Sequence, residues 1–483
     1  MSELTEIDLE NAGELVTGHG AAAWRAEAYQ LMILALPLIF TQLAQMAIGI
    51  TDTIMLGRYS IAALDGAVLG NTMFFFCWLL GSGPTAAVSP MIAQILGADP
   101  NNRDDVRTVA RMGFWAMAMV SLPLMAFLWS TKPLLLVLGQ SEQLADAASR
   151  FVVPLSFGLP FSLGFQVLRN YSTALSKPNA SLIVVVLGVV FNATLDYALI
   201  FGHFGFPRLG LMGSGTASAT SFVFTFSMMV LVVWLTPKLH HYRIFADLKA
   251  ASWPVLREIY VLGLPIGLTM LFEATLFFSS NFIMGHFGPI TLAAHAVSLN
   301  IPSVTFMVPL GVAMAATVRV GLAAGANDPE AVRRAGWVAI LGAGLFMSIC
   351  AVVLALWPLQ IASLILPPTP ANMPALLLAA TFLHVAAAFQ VFDGIQVAAA
   401  LSLRGLKDAR APMWIAAASY WLAGFPTCII LGFGLNMQGF GIWIGLAFGL
   451  FVAAALLVAR FWYLSRDQVP GRASWGWGWT GVS

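Results

Sequence analysis

Twelve apolar runs dominate this chain. They lie near residues 29–57, 62–95, 106–131, 144–171, 180–202, 212–236, 257–284, 290–322, 334–357, 374–402, 411–433 and 439–464. A helix needs about 20 apolar residues to cross a bilayer, so each run is long enough, and those near 30 residues must tilt or protrude. Only 9% of the residues are charged. Soluble domains carry about 25%, and disordered chains combine high charge with low hydrophobicity. Both classes are excluded. The expected fold class is an all-α polytopic membrane protein with 12 transmembrane helices.

A net charge of +1 gives no basic field for nucleic acid, and none is expected as a partner. Cys77, Cys350 and Cys428 lie far apart in apolar runs, without the spacing of a disulfide frame or zinc site. Residues 1–28 hold Glu3, Glu6, Asp8, Glu10 and Glu14 against Arg25 alone. A secretory signal starts basic, so this segment reads as a polar cytoplasmic tail or short surface helix. With the N-terminus inside, the alternating segments place 19 Lys and Arg residues inside. Only Arg58, Lys132, Arg150 and Arg208 fall outside. That asymmetry sets both termini, including the tail 465–483, in the cytoplasm.

The chain also repeats itself. LALPLIF at 34–40 resembles LGLPIGL at 262–268 and aligns Pro37 with Pro265; the same offset aligns Gly57 with Gly285 and Gly97 with Gly325. Gln166, Lys177 and Gly202 lie 230 residues before Gln396, Lys407 and Gly432. Two six-span bundles follow: an N-lobe over 29–236 and a C-lobe over 257–464, joined by a cytoplasmic linker at 237–256. An even number of spans per half points both copies the same way. A pseudo-twofold axis along the membrane normal is therefore expected, with a cavity between the halves, which is a design for alternating access.

Four carboxylates lie inside spans: Asp52, Asp196, Glu273 and Asp393. A charge at the centre of a membrane helix costs about 3 kcal/mol even on the lenient insertion scale. The spans show no deep Lys or Arg to neutralise these groups, so a mobile cation, a proton or a cationic substrate is the expected partner. Gln45 lies two turns before Asp52 on the same helix face. Asn192 and Asp196 are i,i+4 and project together. Phe389, Gln390 and Gln396 flank Asp393 on one face, where Phe389 offers a cation–π surface. Two facing carboxylates resist joint ionisation, so at least one is expected to hold a proton until a cation displaces it. The histidines show no metal spacing. The small residues of GLMGSGTASAT at 210–220 read as close helix packing.

Twelve spans in two parallel halves resemble the multidrug and toxic compound extrusion (MATE) family. The resemblance is carried by PLIFTQLAQMAIGITDTIMLGRYS, FNATLDYALIFG, FEATLFFSSNFIMG and VFDGIQVAAALSLRGLKDAR. The pair Glu273 and Asp393 resembles its NorM-like branch. The resemblance covers about residues 30–465. It implies a secondary active exporter of organic, mostly cationic drugs or toxins from the bacterial inner membrane, in antiport with Na+ or H+ and with no cofactor. A monomer is expected. It also implies ion-coupling roles, as Na+ ligands or proton carriers, for Asp52, Asn192 and Asp196 in the N-lobe and for Glu273 and Asp393 in the C-lobe. Gln45, Phe389, Gln390 and Gln396 are cavity or substrate candidates. Phe389 departs from the pattern, because NorM-like proteins often carry tyrosine there.

Two other functions compete. A lipid-linked oligosaccharide flippase of the same superfamily would line its cavity with Arg or Lys for pyrophosphate, and the spans show none deep. An intramembrane enzyme needs a nucleophile–base or metal constellation, and no such pattern is present in the sequence.

Overall fold

The computed structural model describes residues 15–16 and 20–466. The acidic tail through Glu14 and the tail after Arg466 lie outside the described residues. All the described elements are helical, as the bilayer requires of a spanning chain that must satisfy its own backbone polar groups. In chain order they are α1 (Ala21–Tyr59), α2 (Ile61–Ala86), α3 (Val88–Ala98), α4 (Arg103–Trp129), α5 (Thr131–Val137), α6 (Glu142–Ser156), α7 (Leu159–Ala174), α8 (Asn179–Phe201), α9 (Leu211–Leu235) and α10 (Pro237–His240). The second half holds α11 (Trp253–His286), α12 (Pro289–Gly325), α13 (Pro329–Leu356), α14 (Pro358–Ser363), α15 (Met373–Gly405), α16 (Arg410–Ala417), α17 (Phe425–Ile429) and α18 (Gln438–Arg466). Two π-helical turns, Ala418–Gly424 and Ile430–Gly434, flank α17.

Among the described residues, 11 helices or helix runs are long and apolar enough to span a membrane, and a bent pair supplies the twelfth. That pair is α6 and α7, which meet at 47°. Pro154 and the Gly158–Leu159–Pro160 junction account for the bend, since proline removes a helical donor and crowds the preceding turn. Local signals set the other boundaries. Asn102 caps α4 by accepting from the Asp105 N–H at 3.2 Å, with Asp104 and Asp105 in the first turn. Asp328 caps α13 through Ala331 N–H at 2.9 Å, ahead of Pro329. Gly202 ends α8 at φ 77°, a left-handed position that glycine enters without strain.

The first helix begins earlier than the sequence suggested. Residues 21–28 continue into the first span, and Glu27 is buried rather than part of a polar tail. Its charge is matched across the lobes. Arg319 of α12 donates from Nε to Glu27 Oε1 at 2.8 Å and from Nη2 to Oε2 at 2.7 Å. Arg334 of α13 stands 4.0 Å from the same carboxylate and donates to the Val16 carbonyl at 2.5 Å.

The internal repeat becomes a pseudo-twofold axis in the close contacts between lobes. Equivalent residues stand 228 positions apart. A Cβ placed on Gly97 would lie 3.0 Å from the Leu322 Cα, and one on Gly325 would lie 2.9 Å from the Gln94 Cα. Gln94 is the counterpart of Leu322, so the two contacts exchange partners. Gly83 against Gly267 and Gly311 against Ile39 repeat the exchange at 2.8 and 2.9 Å. Gly321 meets Ala93, its own counterpart, and these two residues straddle the axis. Such reciprocity is what a twofold operator imposes on an interface. Glycine is needed here because backbones approach directly, and close packing rather than water exclusion holds membrane helices together. These contacts gather toward the end of the bundle that carries the linker. There Gln94 Nε2 also donates to the Gly405 carbonyl at 2.8 Å across the lobes.

Candidate functional site

In the N-lobe, α1 brings Asp52 to α8, whose i,i+4 pair Asn192 and Asp196 is fully buried. Asp196 and Asn192 adjoin the Asp52 carboxylate. Helix α9 adds two residues that the sequence reading had assigned to packing alone. Ser218 Oγ donates to Asp52 Oδ2 at 3.3 Å, and Ser214 stands beside Asp196. Ser214 and Ser218 are one turn apart, the signal that would have placed both on one polar face. Gly213 and Gly215 of the same segment do pack closely, against the Leu199 and Phe151 carbonyls.

This cluster leaves buried polar atoms without hydrogen-bond partners: Asp52 Oδ1, both Asp196 oxygens, both Asn192 amide atoms and Ser214 Oγ. Buried polar groups are rarely left so. Neither aspartate has a Lys or Arg partner among the described salt bridges. The donor set consists of hard oxygens of two carboxylates, an amide and hydroxyls, which suits a hard cation or a retained proton.

Gln45 is drawn elsewhere. Its Oε1, with that of Gln42, accepts from Arg169 Nη1 at 3.1 and 3.0 Å. Arg169 belongs to α7 and is only 6% exposed. This corrects the expectation that no basic side chain lies deep in a span: the arginine starts near a helix end, but its long stem carries the guanidinium in between α1 and α7. Two neutral amides, and no described carboxylate, receive it.

In the C-lobe, Glu273 of α11 and Asp393 of α15 meet at Gln396. The Gln396 Nε2 donates to Glu273 Oε1 at 3.1 Å and to Asp393 Oδ1 at 3.4 Å. Its Oε1 accepts from the Tyr420 hydroxyl at 3.2 Å. Tyr420 sits in the π-helical turn Ala418–Gly424 and is 1% exposed. π-Turns in helices often mark functional sites. This residue was missed in the sequence, where the only signal was a tyrosine in an apolar run ahead of Gly424 and Pro426. A phenolic hydroxyl is thus present in the C-lobe cluster although position 389 is phenylalanine.

The other candidates on α15 are packed. Phe389 makes edge contacts with Phe277 and Trp443, at ring distances of 5.9 and 5.6 Å. Gln390 is fully buried; it accepts from Thr305 at 3.1 Å and donates to the Met347 carbonyl at 3.5 Å. Neither faces an open space in this conformation. Among the described residues, no three His, Cys, Asp or Glu gather as metal ligands.

Two like-directed lobes, each enclosing a pair of acidic side chains with no Lys or Arg partner among the described residues, have the architecture of a polytopic membrane transporter. A family model named MatE matches residues 37–198 and 265–430, one stretch in each lobe. The chain belongs to this family, as the sequence resemblance implied. It is 41% identical over 455 residues to a "Probable multidrug resistance protein NorM" of Mesorhizobium japonicum, covering 94% of this chain and 97% of that one. A Brucella suis protein of the same name is 40% identical over 443 residues, covering 91% and 94%. Among solved structures, the eukaryotic MATE transporter AtDTX14 superposes with a TM-score of 0.81 at 20% identity, over 92% of this chain and 98% of that one. A MATE structure in complex with MaL6 gives 0.83 at 19% identity, over 95% and 99%. At these identities the structural likeness speaks for the fold.

Proposed function

We propose that this protein is a secondary active multidrug exporter of a bacterial inner membrane. It moves organic, mostly cationic compounds outward in exchange for Na+ or H+, with the lobes alternating between inward- and outward-open states and both termini in the cytoplasm. The observation that carries this reading is the pair of buried acidic clusters, Asp52–Asn192–Asp196 and Glu273–Asp393, each without a basic partner. A carboxylate pair in a dry place favours one bound positive charge, and a cation or proton entering from one side satisfies it. Discharge then follows when the site opens to the other side.

The N-lobe oxygens, hydroxyls included, are arranged for an inorganic ion or proton. The C-lobe pair suits competition between an ion and an organic cation, with Phe277, Phe389 and Trp443, packed on one another in this conformation, reaching the cation once the lobe opens. The linker end, where the lobes are shut, is assigned to the cytoplasm by the distribution of Lys and Arg. The test is efflux of ethidium from proteoliposomes with sodium and pH gradients imposed separately. Efflux driven by one gradient identifies the coupling ion; efflux driven by neither, or driven by ATP, refutes the antiport reading. Orientation is checked by labelling single cysteines in intact cells. Positions 360–372 should react from outside and 240–250 should not.

A further inference from the structure

The linker end carries a second feature that ion exchange does not use. Arg103 and Arg107, in the first two turns of α4, face His240, His241 and Arg243 of the linker across a cavity of about 520 Å³. The linker is held there by one stripe of α4. Arg107 Nε donates to the Tyr242 carbonyl at 3.1 Å, Arg111 Nη1 to the Asp247 backbone carbonyl at 3.2 Å, and Trp115 Nε1 to the Leu248 carbonyl at 2.8 Å. These three side chains are spaced i, i+4, i+8 and project together. Asp104 lies 3.6 Å from Arg107 Nη1, but its carboxylate is 89% exposed and points to solvent.

A second cavity, of about 240 Å³, adjoins the first, with His240 and Arg243 in the walls of both. Its walls are apolar: Val233, Trp234, Leu239, Ile244 and Phe245. Trp234 and Leu235, at the end of α9, are 60% and 61% exposed, and a tryptophan at a span's end suits the bilayer interface. The excess of basic residues inside accounts for how many arginines lie on this face. It does not account for their meeting two histidines around a hollow that adjoins an apolar groove at the interface.

We propose that the adjoining cavities bind an anionic phospholipid. Its phosphate sits among Arg103, Arg107, Arg243 and the histidines, and an acyl chain lies along the groove from Trp234 to Phe245. Guanidinium groups match phosphate oxygens in charge and fork geometry. A soluble phosphate would use the first cavity only, so the apolar cavity that shares His240 and Arg243 with it selects a lipid. The site lies on the segment that joins the lobes, so its occupancy tethers the linker to α4.

The experiment is native mass spectrometry of the delipidated full-length protein with phosphatidylglycerol or phosphatidylcholine of the same acyl chains. Phosphatidylglycerol should bind about 30-fold more tightly, and Arg103→Gln with Arg243→Gln should remove that preference, about 30-fold being what two basic residues at an anionic surface contribute. The pair Arg333→Gln with Arg410→Gln removes equal charge from the same end of the protein and should change binding by less than about twofold. Trp234→Ser should weaken the lipid and leave glycerol 3-phosphate unaffected, and it serves as the test if the arginine pair lowers the melting temperature. The proposal fails if phosphatidylglycerol shows no preference or if the control pair loses it equally. It also fails if glycerol 3-phosphate displaces the lipid at equal concentration, which would mark a soluble-phosphate site.

Discussion

Replacing Glu27 by glutamine tests how the two lobes are held shut. The carboxylate is bidentate to Arg319, at 2.8 and 2.7 Å, and both side chains are 1–2% exposed. Glutamine keeps the shape and removes the charge, so Arg319 and Arg334 lose their shared buried carboxylate. Breaking a buried pair by removing one partner costs about 3–5 kcal/mol, and the lower end applies here because Arg334 keeps the Glu330 carboxylate at 4.0 Å. The penalty exists only while the linker-side seam is closed and dry; water solvates the guanidinium groups once α1 and α12 part. The substitution therefore acts on the closed state selectively. A bias of about 3 kcal/mol changes the closed-to-open ratio by about two orders of magnitude. The assay is maleimide labelling of Ala316→Cys, a fully buried position in the seam beside Leu34 and Leu38, after Cys77, Cys350 and Cys428 are replaced by serine. In inside-out vesicles the Glu27→Gln background should label about 100-fold faster. Unchanged labelling in a protein whose melting temperature has fallen would refute the reasoning, since the pair would then be a static brace and the seam would not open there.

Three other outcomes follow from the acidic clusters. Glu273→Gln or Asp393→Asn should leave the protein inserted and folded yet remove most ethidium efflux; normal export at normal expression in both variants would make the pair a mere helix tie. Asp52→Asn should reduce gradient-driven efflux in vesicles far more than drug affinity in detergent, and equal losses would show Asp52 to be a drug ligand or a fold element. Tyr420→Phe removes the hydroxyl from Gln396 for about 1 kcal/mol. It should change the concentration of ion that gives half-maximal efflux severalfold, with little change in melting temperature; an unchanged ion dependence would leave Tyr420 a packing residue.

Much of this was legible in the residues. The long apolar runs dictate helices, because a lipid-exposed backbone must bond to itself. The offset that pairs Gly97 with Gly325 announced two copies of one bundle. Asn192 and Asp196, i,i+4 on one helix, were bound to project together whatever the rest of the chain did, and an acidic side chain inside a span is costly enough to stand out. These are local or periodic properties, which one segment carries by itself.

Only the tertiary structure decided what meets what. Ser214 and Ser218 look like packing residues until α9 lies against Asp52 and Asp196. Tyr420 looks like one more aromatic until a π-turn rotates it onto Gln396. Arg169 is counted with a cytoplasmic end by position, yet its stem reaches Gln42 and Gln45. Glu27 reads as the edge of an acidic tail, but Arg319, almost 300 residues away, buries it. The physical reason is the same in each case. Inside a membrane protein a polar group's free energy depends on its partner across a helix interface, and that partner is chosen by how the helices pack and by the reach of the side chain.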